Sequence, residues 1–313
     1  MRYTTIQDET VSKNPKQYLQ SLEDSTVIEA GEGGPGIFLS CLVHGMEPSG
    51  YYAIHNLLRE VKDGKNIPKT YVYIANVEAA KHPPVFTHRY LPHQSDHNRI
   101  WDTPGKNTKQ NEDITGVKKL LKQTRPKYVI DIHNTTGRNP PFIIVNSKGI
   151  ETLRFASNFS NRIVYLPWKD TFAGYADQHV DVSITIECGK HDMMSSHVKA
   201  HECIDLIYSV VEKSSYKDRV LLAKDLNTID VESDEISFSN TYEKDHTFKQ
   251  EIDKYNFKKI REGTQIGWSR SRGIKNKYLT LKNTKIHTNS EDLIFVMLTK
   301  NKDIIQKDTF GYV

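Results

Sequence analysis

Cysteine is scarce. The 313 residues hold three, Cys41, Cys188 and Cys203, so a disulfide-stapled scaffold is excluded. Cys41 and Cys188 fall in or beside apolar runs, where reduced, structural thiols are expected. Long apolar runs are missing as well: no window approaches the roughly eighteen apolar residues of a membrane span. Residues Met1 to Asp8 show no apolar core of a signal peptide. Concentrated positive charge is also absent. The net charge is +4 and the pI near 8.7, with lysines scattered and densest after residue 240. Without an arginine-rich helix or alternating basic and aromatic residues, a nucleic-acid partner is not expected. Neither an internal repeat nor a low-complexity tract is present. These absences point to a cytoplasmic protein of one large domain, or one large and one small, with no membrane attachment. They leave the oligomeric state open, a homo-oligomer included.

What is present is organised around Gly36 to Glu47, GIFLSCLVHGME. Its first eight residues form a short apolar run behind a turn at Gly33-Gly34-Pro35, which suits a strand buried on both faces. A histidine and a glutamate follow, three residues apart. Two further strands end similarly. Tyr128 to Ile132 leads into His133, and Val182 to Ile186 leads into Glu187. In an open α/β sheet, ligands bind beyond the carboxyl ends of the strands. Two histidines and one carboxylate, His44, His133 and Glu47, make a catalytic zinc set with a position left for water. Gly45 would let the backbone turn sharply between the first two. Glu187 is then left over as the general base for that water. The alternatives are a buried, hydrogen-bonded His133 and an edge-of-sheet Glu187 paired to a lysine such as Lys190.

Along the chain, strands alternate with helices as far as residue ~213. Residues 1–35 form an opening segment with an edge strand near Thr26–Ala30. Ser49 to Val61 has helical spacing, Thr70 to Ala75 reads as a strand, and Asp113 to Gln123 as a helix. Strands follow at 140–145 and 163–166, with helices at 150–161 and from about Ser195 to Lys213. The long irregular stretch from His82 to Asp102 carries His82, His88, His93, His97, Arg89 and Arg99, and loops of such length are usually functional. In it, Arg99 could grip a carboxylate through paired hydrogen bonds, with Asn98 adding a donor. Beyond residue 216 the texture becomes polar, with short runs at 229–231, 235–238, 278–281 and 293–297 and turn signals at Glu262-Gly263 and Arg272-Gly273. The predicted fold is therefore α/β, a mixed and mainly parallel sheet flanked by helices over 1–215. A smaller β-rich domain follows over 216–313, and if it caps the active site, small substrates are favoured.

Together, His44-Gly45-Met46-Glu47, Arg89-Tyr90, Asn98-Arg99, Asp131-Ile132-His133-Asn134-Thr135-Thr136-Gly137 and Ile186-Glu187-Cys188-Gly189 closely resemble the succinylglutamate desuccinylase/aspartoacylase family. That family is a branch of the zinc-carboxypeptidase-like superfamily. The resemblance runs from residue ~36 to ~215 and, more loosely, into the tail. It implies one zinc ion per chain held by His44, Glu47 and His133, with Glu187 as general base and then acid. It further implies that Arg89 polarises the scissile carbonyl and that Asn98 and Arg99 bind the substrate's α-carboxylate. The expected activity is hydrolysis of the amide bond in an N-acyl amino acid or similar small amide. Two departures argue against N-acetylaspartate. Residues 171–177 lack the arginine that aspartoacylases use for the side-chain carboxylate, and Leu293 to Lys302 hold no counterpart of their second-domain tyrosine. Tyr175 and Lys169 are candidates to shape that pocket instead. The competing readings are a metallocarboxypeptidase with the same metal set and a catalytically silent zinc-binding module.

Overall fold

Side-chain alternation sets the architecture. In the computed structural model the apolar runs form strands whose successive residues enter two different cores. Ile37, Leu39 and Cys41 join one, while Phe38 joins the other; Val72 and Ile74 are likewise separated from Tyr71 and Tyr73. A sheet apolar on both faces must be covered on both. The structure describes residues 1–213, 224–225, 228–229, 236–241, 246–261, 265–269, 272–275, 292–295 and 311–312. Two units are distinguished, 1–134 with 141–224, and 135–140 with 225–313.

The first unit is built on strands β1 (Arg2–Thr5), β2 (Thr26–Ala30), β3 (Ile37–Cys41), β4 (Thr70–Ile74), β5 (Tyr128–Thr135), β6 (Phe142–Val145), β7 (Ile163–Tyr165), β8 (Val182–Lys190) and β9 (Lys224–Asp225). Their order is β1-β2-β4-β3-β5-β8-β6-β7-β9. The pairs β1–β2, β3–β4, β3–β5 and β6–β7 run parallel, whereas β2–β4 and β6–β8 run antiparallel. The sheet is thus mixed and mainly parallel, as predicted. The strands that carry the candidate residues, β3, β5 and β8, are neighbours at its centre.

Helices α1 (Pro15–Ser21), α2 (Pro48–Lys62), α3 (Val77–Lys81), α4 (Thr108–Thr124), α5 (Ile150–Ala156), α6 (Phe172–Ala176) and α7 (Met194–Lys213) accompany the sheet. Ile54, Leu57 and Leu58 of α2 enter the first core with Ile204, Ile207 and Val211 of α7. Ile114, Val117 and Leu121 of α4 enter the second with Phe172 of α6. Each such buried side chain contributes roughly 1.5–3 kcal/mol of transfer free energy. Among the described residues no helix is long and apolar enough to cross a membrane.

Several sequence expectations are corrected. β2 is not at the edge, because β1 pairs with it in parallel register and takes that place. Helix α4 starts at Thr108, ahead of its apolar stripe, because the Asn107 side chain caps it by accepting the Gln110 N–H. Helix α5 stops at Ala156 rather than Asn161.

In the second unit, β11 (Ile236–Phe238), β12 (His246–Phe248), β14 (Gln265–Ser269) and β15 (Arg272–Lys275) form one sheet. The pairs β10 (Thr228–Ile229) with β17 (Gly311–Tyr312) and β13 (Lys258–Arg261) with β16 (Asp292–Phe295) form two more. Arg272-Gly273, expected to be a turn, lies in β15 and pairs with Trp268 and Ser269. The expected strand at 278–281 and turn at 262–263 fall outside the described residues.

Candidate active site

β3 ends at Cys41, and Leu42 takes the left-handed conformation, φ +54°, that turns the chain toward His44. The sharp turn expected at Gly45 is present, closed by the Glu47 N–H on the His44 carbonyl at 3.1 Å, and the glycine meets a second need as well. A Cβ there would lie 2.5 Å from the backbone nitrogen of Ala80, so glycine is needed for clearance against α3. Glu47 follows as the N-cap of α2, with Pro48 in the first turn. β5 continues through His133 to Thr135 and β8 through Glu187 to Lys190, so these two residues sit inside their strands rather than just beyond them.

His44, Glu47 and His133 converge. They are 5, 3 and 3 % exposed, and one ligand atom from each lies within 4.8 Å of the others. Among the described residues this is the group able to hold a metal ion. Glu47 Oε1 lies 2.8 Å from His44 Nδ1, and Oε2 lies 2.7 Å from His133 Nδ1. Each ring turns its other nitrogen to a carboxylate: His44 Nε2 is 3.2 Å from Asp96 Oδ1, and His133 Nε2 is 2.7 Å from Asp131 Oδ2. Asp131 in turn accepts from Ser40 Oγ, its cross-strand partner in β3. Protons held at Nε2 by these carboxylates would leave both Nδ1 atoms available to ligate a cation, the arrangement that metal-binding histidines adopt. Two imidazole nitrogens and one carboxylate suit zinc. Burial disfavours charge on His133, but Asp131 and Glu47 raise its pKa well above the usual histidine value. Burial also opposes an ionised Glu47, yet His44 and His133 hold its carboxyl below the ordinary range. A cation entering here would displace the His133 proton.

Arg89 is part of the same cluster. Its carbonyl accepts the Gly45 N–H at 3.0 Å, its Nε donates to Asp96 Oδ2 at 2.9 Å, and a terminal nitrogen lies 3.7 Å from Glu47 Oε1. Asp96 therefore joins His44 to Arg89. Despite its burial, Arg89 and His44 hold its carboxyl well below the usual range. Asp96 also accepts the Asn98 N–H and so caps a 3-10 turn over His97–Arg99. The Asn98 side-chain oxygen accepts the Phe172 N–H at 2.9 Å. The Arg99 guanidinium lies 4.7 Å over the Trp168 ring and donates to the Asn98 carbonyl at 2.8 Å.

Glu187 stands apart. It is 8 % exposed, and its Oε2 is buried without a hydrogen-bond partner among the described residues. Burial, reinforced by the charges of Glu47 and Asp131, pushes its pKa up to about 8 against the pull of His133 and Arg89. Lys190 pairs with Asp192 at 2.6 Å instead.

The other candidates lie elsewhere. His97 is a core residue bonded to the Tyr73 hydroxyl at 3.0 Å, and burial first, then His44, pushes its pKa down to about 4. His93 pairs with Glu78, and the His82 and His88 rings meet edge to face. Tyr175 packs between Trp101 and His179 beneath Lys118, while Lys169 is exposed. Sequence reasoning assigned no role to Asp96 or Asp131. The signal for Asp131 was present, since residues two apart on a strand share a face and His133 follows at that spacing.

Residues 33–202, more than half of the chain, match the family model described as the succinylglutamate desuccinylase/aspartoacylase catalytic domain. Among solved structures, the chain resembles the succinylglutamate desuccinylase of Vibrio parahaemolyticus at 12% identity, covering 97% of this chain and 95% of that one, with a TM-score of 0.65. Murine aminoacylase 3 is similar at 14% identity, with coverage of 90% and 95% and a TM-score of 0.63. A succinylglutamate desuccinylase/aspartoacylase from Rhodobacter sphaeroides follows at 15% identity, 92% and 87% coverage and a TM-score of 0.58. At such identities these likenesses concern the fold. No curated protein matches the chain by sequence.

Proposed function

Because this chain belongs to the succinylglutamate desuccinylase/aspartoacylase family, we propose that it is a zinc-dependent deacylase. It hydrolyses the amide bond of an N-acyl amino acid or a similar small, carboxylate-bearing amide. His44, Glu47 and His133 would hold the zinc, one ion per chain. When bound, zinc supplies Lewis acidity toward the carbonyl and lowers the pKa of water.

The remaining chemistry belongs to the chain's own side chains. Glu187 takes a proton from the attacking water on its unpartnered oxygen and returns it to the leaving amine nitrogen. The carboxyl has a pKa of about 8 in the cation-free site, and added positive charge lowers that value toward neutral pH, which suits both roles. Arg89, fixed by Asp96, presents a guanidinium beside Glu47 where negative charge develops on the carbonyl oxygen. Arg99 and Asn98 receive the substrate's carboxylate.

The observation that carries this reading is Glu187 Oε2, buried without a partner among the described residues, on the strand next to that of His133. A site meant only to store zinc has no use for such a group. The test is amine release from N-acetyl, N-formyl and N-succinyl amino acids by zinc-loaded protein beside Glu187→Gln. Turnover of at least one member, lost in the variant, is expected, with N-acetylaspartate a poor substrate. Release from no member, or equal release by the variant, would overturn the proposal.

A further inference from the structure

Asn134 follows the histidine His133 and is 3 % exposed. It is the last residue of the first unit before the chain passes into 135–140. Each of its polar contacts reaches a different part of the site. Its backbone N–H donates to Glu47 Oε2 at 3.1 Å. Its side-chain oxygen accepts the Ser49 N–H at 3.1 Å. Its side-chain nitrogen donates to the Gly189 carbonyl at 3.1 Å. The orientation of the amide is dictated by these partners, because an N–H needs an acceptor and a carbonyl needs a donor.

The Ser49 bond answers a defect in α2. The N-cap of a helix normally turns its own side chain back to a free N–H of the first turn. Here the N-cap is Glu47, and its carboxylate faces His44 and His133 instead, so no side-chain cap is made. Asn134 supplies the missing acceptor from another strand. The Gly189 bond does the corresponding work on β8. Gly189 lies two residues beyond Glu187 in β8 and has a φ of +105°.

We infer that Asn134 is a positioning residue, clamping the metal-binding loop at Glu47 to the strand that carries Glu187. The roles of Glu47 and Glu187 in this inference rest on the function proposed above. The clamp itself is a matter of hydrogen bonds and can be read without substrate.

Two variants separate its two arms. Asn134→Ala removes both side-chain bonds. Asn134→Asp keeps an acceptor for Ser49 but has no donor for Gly189, and its near-identical shape carries the test if the alanine variant does not fold. Amide hydrogen exchange should quicken over 187–190 in both variants, and at the start of α2 in Asn134→Ala alone. With zinc loaded and its content measured, kcat should fall about 10–100-fold in both, while KM stays within about twofold. A merely structural asparagine would lower Tm and leave kcat per bound zinc unchanged. Unchanged exchange over 187–190 in a folded variant, or kcat per zinc within twofold of the parent, would overturn the clamp. If the parent protein released no amine at all, the deacylase reading would fall, and the exchange result would still decide this inference.

Discussion

Two buried glutamates that interact electrostatically, Glu47 and Glu187, are treated in opposite ways. Glu47 is surrounded by partners: His44 and His133 on its two oxygens, and the Asn134 N–H on one of them. Glu187, comparably buried, has one oxygen with none among the described residues. The first carboxyl is held below the ordinary range, and the second is pushed up to about 8. Their intrinsic acidities are the same, so the difference comes wholly from what the fold puts beside each of them. A carboxylate that must stay ionised suits a cation; one poised to gain or lose a proton suits acid–base work. Divergent environments of two like groups therefore separate the roles more sharply than the presence of either residue does.

The largest break in this comparison is Glu47→Ala. It removes the anion shared by the two histidines, and zinc content by metal analysis should fall to background with all turnover. Retained stoichiometric zinc would show that Glu47 is not a ligand. Glu187→Gln should do the reverse, keeping zinc while turnover drops about 10²–10⁴-fold. The same variant tests the raised pKa in metal-free protein. A carboxyl whose folded pKa exceeds its unfolded value stabilises fully below about 4.5. That contribution is lost as pH rises toward about 8, at up to roughly 1.4 kcal/mol per pH unit. Parent and variant should therefore diverge in denaturant midpoint between those limits, with the parent losing ground as pH rises. A pH-independent difference would mean that Glu187 is already ionised, like Glu47.

Asp96→Asn sharpens the Glu47 side. It keeps the shape but removes the charge that faces both His44 Nε2 and Arg89 Nε. Loss of such an outer carboxylate is expected to cost about 10–100-fold in zinc affinity or activity. Equal affinity and activity in the variant would make the contact incidental.

How much of this was readable in the sequence depended on whether direction was needed. β3, β5 and β8 were legible because unbroken apolar runs between turn residues suit buried strands, and His44, Glu47, His133 and Glu187 stood out at their ends. β1 was not: Arg2–Thr5 is four residues long and outward-facing in part, too short for a pattern. Asp96 was hidden for another reason. It lies in an irregular stretch, where sequence gives separation from Arg89 but not the side to which a carboxylate points. At Gly45 the turn was legible but the crowding was not, because the helix backbone that presses on it comes from residues 79 and 80.

The smallest expected effect concerns Lys190, the lysine that a sequence reader would pair with Glu187. It pairs instead with Asp192, which is half exposed, on the far side of Gly189 in the chain. Surface pairs of this kind contribute about 0–1 kcal/mol. Lys190→Ala should therefore shift the denaturant midpoint little and leave both kcat and its pH profile unchanged. Were Glu187 held ionised by this lysine, the variant would move the acid limb of that profile upward. Such a shift would put Glu187 among the paired carboxylates and erase the contrast with Glu47 on which its proposed catalytic role depends.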